Sequence, residues 1–389
     1  MKIIRHFFTL LLLITAVGVN AKKQPAIYGI GFYNLENLFD TCHDEGKRDN
    51  DFMPDGSYQW TATRYAHKLA NMSKVLADMG TDLLPEVGCA VIGLAEVEND
   101  RVLTDLVAQQ PLRSRNYQYV HIEGPDKRGI DCALLYNPKL FKVQRATLLP
   151  YKPEWPKDSA FKTRGFLIVE GVLAKQPVTI IVCHWPSRFS DSPYRERAAL
   201  QVKEIKDSLL ACHPKTKVMI MGDMNDDPTN KSMYEALSAK EDIEKVGKND
   251  MFNPWYNVLV KQGQGTLMYQ GAWNLFDQII LSPNLLNKKG HRDGSTLKYW
   301  KCEIQRMPYL FQTEGKYKGG TKRTTAGGVW LDGYSDHLPT AIYLMKEQGV
   351  ATKDAGDCLL PDFTEAEKQN IAECELERQE REAKDKAKQ

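Results

Sequence analysis

The chain has 389 residues, of which 42% are hydrophobic and 26% charged, and its formal net charge is +2. This composition supports one large core, and the near-neutral balance excludes a generally basic, DNA-coating protein. Eight cysteines are present and none forms a CxxC pair, which argues against a zinc site.

The first element is a leader. Lys2 and Arg5 precede an apolar run from Phe7 to Val17, and small residues lead up to Lys22. That order predicts a secretory signal over residues 1–21, with a run too short for a bilayer span. Its removal takes two positive charges away and leaves a mature charge of about zero. The protein is therefore expected to be exported, to the periplasm or the medium, where disulfides are permitted. Cys132 and Cys183 lie inside apolar runs and read as buried thiols. No later run is long enough to cross a membrane, so no stable span is expected after cleavage.

Apolar, β-branched runs predict strands over 27–33, 90–95, 131–136, 165–173, 178–183, 217–222, 276–281 and 340–345. Leu69, Met72, Leu76 and Met79 mark one face of a helix over 61–79, and a second helix is expected over 195–210. The acidic segment 44–55 lacks the alternating ligand spacing of a helix-loop-helix calcium site. Residues 288–325 read as a long basic, aromatic loop. From Asp362 onward, Glu, Lys, Arg and Gln dominate, which predicts a charged helix or tail over 362–389. The fold class is α/β: one domain over 22–361 with many strands and no repeat.

The chemistry-bearing residues stand where strands hand over to loops. Asn34 follows the first strand, Glu96 the second, and His184 the run Ile180–Cys183. Asp223 and Asn225 follow Val218–Gly222, Asp277 opens a strand, and Asp336 and His337 precede the last one. Each alone is explained as a turn, cap or core residue; together they predict a shared rim. Glu96 and Asp336 offer the oxygen donors that Mg²⁺ prefers. Asp, Asn and two His residues can orient water, neutralise phosphoryl charge and move a proton.

Seven motifs then match, in order, those of the endonuclease/exonuclease/phosphatase superfamily. They are Phe32–Phe39, Gly93–Glu98, Arg128–Tyr136, His184–Arg188, Gly222–Asp226, Phe276–Ile279 and Ser335–Pro339. The chain resembles that superfamily over roughly residues 27–345. The resemblance implies a four-layer sandwich of two packed mixed β-sheets flanked by helices, acting as a Mg²⁺-dependent phosphodiesterase (with Mn²⁺ or Ca²⁺ as alternatives). By the same resemblance, Glu96, Asn34 and Asp336 hold the metal, Asp223 activates water and Asn225 supports the phosphate or the metal. His337, oriented by Asp277, binds the phosphate or shares in proton transfer. His184 protonates the leaving oxygen, as in pancreatic-type deoxyribonucleases. Arg164 matches a phosphate-contacting position. Arg128 and Arg188 are further phosphate candidates, as are Arg195 and Arg197, which an exposed helix face explains equally well.

The superfamily holds several phosphoesterases, so fold does not fix substrate. The segment Met221–Asp226 and the unit Phe276-Asp277-Gln278 lack the marks of the inositol phosphatase branch. Nucleic acid, DNA or RNA, is the expected substrate, with the 288–325 stretch as a contact surface. A sphingomyelinase-like enzyme is the alternative. A degenerate, purely binding protein is disfavoured because no site residue has been lost. A monomer is expected.

Overall fold

The structure, a computed structural model, describes residues 25–153, 161–315 and 317–347. The predicted leader and the charged tail lie outside the described residues. In chain order the strands are β1 (Ala26–Leu38), β2 (Cys89–Val97), β3 (Gln118–His121), β4 (Asp131–Tyr136), β5 (Phe141–Leu149), β6 (Phe166–Leu173), β7 (Gln176–His184), β8 (Lys217–Asp223), β9 (Ala239–Lys240) and β10 (Met251–Phe252). There follow β11 (Leu267–Tyr269), β12 (Ala272–Asn274), β13 (Asp277–Leu281), β14 (Lys298–Ile304), β15 (Thr325–Ala326), β16 (Val329–Trp330) and β17 (Thr340–Lys346). The helices are α1 (Ala62–Asp78), α2 (Asp100–Ala108), α3 (Gln110–Arg113), α4 (Ser192–Cys212) and α5 (Trp255–Gln262).

Two mixed sheets form the body. One has the order β14-β17-β1-β2-β4-β3, the other β5-β6-β7-β8-β13-β10-β9. The central strands read as unbroken apolar runs because both their faces are covered; Val91, Ile92, Ile180, Val182, Met219 and Met221 are all buried in one core. The sheets meet face to face through β1, β2 and β4 against β7, β8 and β13. Gly93 permits the close approach, since a Cβ there would stand 2.5 Å from Met221 Sδ. Helix α1 turns Leu69, Met72, Val75 and Leu76 onto the first sheet. Helix α4 covers the second with Ala198, Ala199 and Val202. The four-layer sandwich is thus present, and no described helix is long and apolar enough to cross a membrane. The six cysteines among the described residues are unpaired, with Cys132 and Cys183 buried as expected.

The structure corrects one predicted element. The 288–325 stretch is not a long loop, because Lys298–Ile304 forms the edge strand β14, antiparallel to β17. Its alternation of Lys298, Lys301 and Glu303 with aromatic residues masked it, and charged residues are what an exposed edge tolerates. Strands β3 and β5, also at sheet edges, were hidden for the same reason.

On the outer face of the first sheet, His121 is held between two carboxylates. Its Nδ1 is 3.0 Å from Asp100 Oδ1 and its Nε2 is 3.3 Å from Asp131 Oδ2. Burial alone would lower its pKa, but the paired carboxylates outweigh burial and push it up to about 10. The folded protein therefore keeps a proton that the unfolded chain releases near pH 6.5. The associated stability is complete below that pH and is lost as pH rises through about 10. Between pH 7 and 10 the melting temperature of the natural protein should fall more steeply than that of His121→Gln; parallel slopes in a thermal-shift series would refute this.

Candidate active site

The sheet register brings the strand ends together. Along parallel β7 and β8, His184 is the partner of Asp223, and across antiparallel β8 and β13 Asp223 is the partner of Asp277. Gly222 is required just before this point, because a Cβ there would lie 2.1 Å from the Cys183 carbonyl oxygen. In the other sheet β1 and β2 run parallel with Asn34 opposite Ala95, and the pairing is irregular between Asn34 and Leu38. The β2–β4 register likewise slips between Ala95 and Val97. This bulge turns Glu96 toward the rim, as bulges beside active sites commonly do. Glu36, Asn37, Glu96 and Asn225 all have φ between 49° and 63°. Left-handed backbone at four non-glycine residues around one site marks strain that surrounding contacts must hold.

The central feature is a row, buried except at the half-buried Glu96, in which carboxylates and imidazoles alternate. Glu96 Oε1 lies 3.8 Å from His184 Nε2, which lies 3.6 Å from Asp223 Oδ2. Asp223 Oδ2 lies 3.7 Å from His337 Nε2, and His337 Nδ1 is 2.7 Å from Asp277 Oδ2. Asn34 Nδ2 donates to Asp223 Oδ2 at 3.0 Å, and Asn225 N donates to Asp223 Oδ1 at 2.9 Å. Asn225 Nδ2 donates to the Trp185 carbonyl.

The two imidazoles differ in charge. Burial first, then Arg164, Arg128 and His337, push the His184 pKa well below its ordinary value, so its ring is neutral. Burial also opposes charge on His337, but Asp277 and Asp223 prevail and raise its pKa well above ordinary, so it is an imidazolium. Burial, Asp277 and Glu96 raise the Asp223 pKa to about 7, against the opposing pull of His337. Titratable groups driven apart in this way are the mark of acid and base assignments.

A second group of carboxylates closes the rim. Arg323 bridges Glu36 Oε1 at 3.2 Å and Asp336 Oδ2 at 3.0 Å. Glu36 also accepts from Thr324 N at 2.7 Å. Burial and Asp336 raise the Glu36 pKa to about 7, and burial lowers that of Lys68 to about 8. Lys68 is completely buried beneath this group and donates to the Tyr334 carbonyl at 2.7 Å. Glu36 and Arg323 had no predicted role. The alternation of Asn34 and Glu36 in one motif was the available signal for Glu36, and nothing in the sequence pairs Arg323 with it.

The predicted phosphate-binding arginines are placed differently from one another. Arg164 is buried, with Nη1 3.2 Å from Asp126 Oδ2 and Nη2 donating to the Trp185 carbonyl at 2.9 Å. Arg128 lies near enough to influence His184. Arg188 is turned onto its own neighbours, 2.9 Å from Asp227 Oδ2 and donating to the Asn225 carbonyl at 3.1 Å. Arg195 is buried against Asp226 at 2.8 Å, so it is neither exposed nor at the row.

The donor chemistry suits a hard divalent cation. Five carboxylates, Glu36, Glu96, Asp223, Asp277 and Asp336, face the cationic His337, Arg323 and Lys68, and added positive charge would relieve the raised pKa values of Asp223 and Glu36. Oxygen donors are what Mg²⁺, Mn²⁺ and Ca²⁺ take. The donor atoms that already lie within 4.8 Å of one another are those of Asp223, Asp277 and His337. This is a different trio from the expected Glu96, Asn34 and Asp336, whose side chains ring it. Another such trio, His121, Glu123 and Asp131, lies at the outer face.

Comparison with known proteins fits this arrangement. The sequence profile of the Endonuclease/Exonuclease/phosphatase family matches residues 29–346. The chain belongs to that family. No curated protein matches it in sequence. Among solved structures, a family member from Bacteroides thetaiotaomicron superposes with a TM-score of 0.50 at 15% identity, covering 84% of this chain and 97% of that one. A mannosyl-6-phosphatase from the same organism gives 0.49 at 15%, covering 82% and 99%. TDP2 from D. rerio, solved with a single-strand DNA product, gives 0.49 at 13%, covering 82% and 99%. These likenesses concern the fold. Members of the family are metal-dependent phosphoesterases, and the chain is a phosphoesterase of that family.

Proposed function

We propose that this protein is an exported, Mg²⁺-dependent phosphodiesterase that hydrolyses nucleic acid by in-line attack of water. The observation that carries the reading is the row from the half-buried Glu96 through the buried His184, Asp223 and His337 to Asp277. Asp223, with a pKa raised to about 7, is matched to taking a proton from water near neutral pH. Asn34 and the Asn225 amide aim its two oxygens. His337 is held as an imidazolium by Asp277 and presents Nε2 toward the reacting side, where it binds the phosphate and can give up its proton. His184 is neutral at the outset, so in this reading the leaving-group proton comes from His337, and His184 is a neutral spacer between Glu96 and Asp223. When bound, a divalent cation on Glu96, with Asp336 and Asn34 beside it, supplies charge neutralisation at the phosphoryl oxygens. Support for nucleic acid comes from the pancreatic-type motif order, and support for export from the leader.

The test uses the chain without residues 1–21, incubated with plasmid DNA, RNA, sphingomyelin vesicles and bis(p-nitrophenyl) phosphate. With Mg²⁺, plasmid or RNA should be cut, and EDTA should remove more than about 10²-fold of that rate. Hydrolysis of sphingomyelin or the small ester alone would retain the mechanism and refute the substrate.

A further inference from the structure

Exposed hydrophobic residues are common and usually meaningless when scattered, but here they are gathered. Of the nine large hydrophobic side chains exposed among the described residues, Phe189, Tyr269, Tyr317, Val329 and Leu331 sit on the loops and short hairpins that join the active-site rim through Arg188, Leu267, Thr321 and Arg323. Phe189 is fully exposed, at 105% of its reference area. It directly follows Arg188, whose Nε donates to the carbonyl of Asn225 and whose Nη1 reaches Asn274 Oδ1 at 3.2 Å. Tyr269, 64% exposed, lies at the turn of the β11–β12 hairpin. That hairpin bridges through Leu267 to His337. Between and beyond them, cations lie over rings: Arg188 stands 4.4 Å from the Phe276 ring, and Arg306 stands 5.2 Å from Trp273 and 4.7 Å from Phe311.

We infer that this rim is a track for a single-stranded nucleic acid, with Phe189 stacking a base on the Asn225 side of the scissile phosphate and Tyr269 stacking one on the His337 side. The inference rests on the nuclease reading and narrows its substrate. A ring that stands free of the protein stacks most readily on a base that is unpaired, because reaching a base face inside a duplex costs unstacking. Aromatic stacking is worth a substantial part of single-strand affinity and tolerates any base. The Arg306 guanidinium, which lies over Trp273 and Phe311, complements a backbone phosphate, whereas Arg188 is already paired with Asp227. Duplex binding without sequence preference would instead need a strong basic excess, which a chain of +2 net charge does not have.

Phe189→Ala should raise KM for a single-stranded oligonucleotide about tenfold, leave kcat within about threefold, and leave both constants unchanged for bis(p-nitrophenyl) phosphate. Phe189→Trp should restore the natural KM, and Tyr269→Ala should repeat the loss. The track is overturned if KM for single strands does not move, if duplex DNA is the better substrate, or if the small ester suffers equally. It is also overturned if Phe189→Ala abolishes binding to phosphatidylcholine–sphingomyelin vesicles while oligonucleotide affinity stays the same, which would make the rim a lipid-facing surface. Should the natural protein cut no nucleic acid, the nuclease reading fails separately. The track is then judged by fluorescence anisotropy of a labelled oligonucleotide: affinity lost on Phe189→Ala supports it, and no binding by the natural protein refutes it.

Discussion

Asp223→Asn is expected to lower kcat by about 10⁴-fold on any phosphodiester the enzyme accepts, with little loss of fold stability. Asp223 is the centre of the row, 3.6 Å from His184 and 3.7 Å from His337, and it receives both Asn34 and the Asn225 amide. Amidation removes the base, the charge that helps hold His337 protonated, and an acceptor for Asn34. Yet the carboxylate is a burden to the fold, since burial beside Asp277 and Glu96 raises its pKa to about 7. A neutral amide of the same shape relieves that repulsion, so the variant should melt within a few degrees of the natural protein or slightly above it. Single-turnover kinetics with calorimetry on the same sample decide the matter. A kcat within tenfold of the natural value would remove Asp223 from the chemistry, and a collapsed melting transition would make its role structural.

Which parts of this arrangement could be read from the sequence follows from burial. Strands such as Ile180–Cys183 and Val218–Gly222 lie in the middle of covered sheets, so they appear as continuous apolar runs and their ends are sharp. The residues at those ends, Glu96, His184, Asp223 and Asp277, are for that reason the ones whose convergence was legible. Strand β14 was not, because an edge strand alternates charge and ring as a surface loop does. Partnerships were equally illegible. That Arg323 would bridge Glu36 and Asp336, that Asp126 would take Arg164, or that Arg188 would turn to Asp227 depends on how separate loops meet in space. The charge states of the two histidines also needed three dimensions. His184 and His337 are both buried and both stand beside carboxylates, and what separates them is the pair of arginines near His184 and the direct bond of His337 to Asp277.

That separation yields the second large effect. Asp277→Asn should lower kcat by about 10³-fold and shift the alkaline limb of the kcat profile to lower pH. Asp277 accepts from His337 Nδ1 at 2.7 Å, and it is the foremost group raising the imidazole pKa against the pull of burial. With a neutral amide there, burial regains ground, the pKa falls, and the protonated form is lost at a lower pH than in the natural enzyme. The amide can also present N–H to Nδ1, which selects the tautomer with its proton on Nε2 and leaves a ring that no longer carries the charge. A second substitution separates orientation from proximity. His337→Gln alone and the double variant His337→Gln/Asp277→Asn should lose similar amounts of kcat, because the pair acts as one unit and its single losses do not add. If the double variant instead loses the product of the two single effects, Asp277 acts on the reaction by a route other than the His337 ring, and the row from Glu96 to Asp277 is not one functional chain.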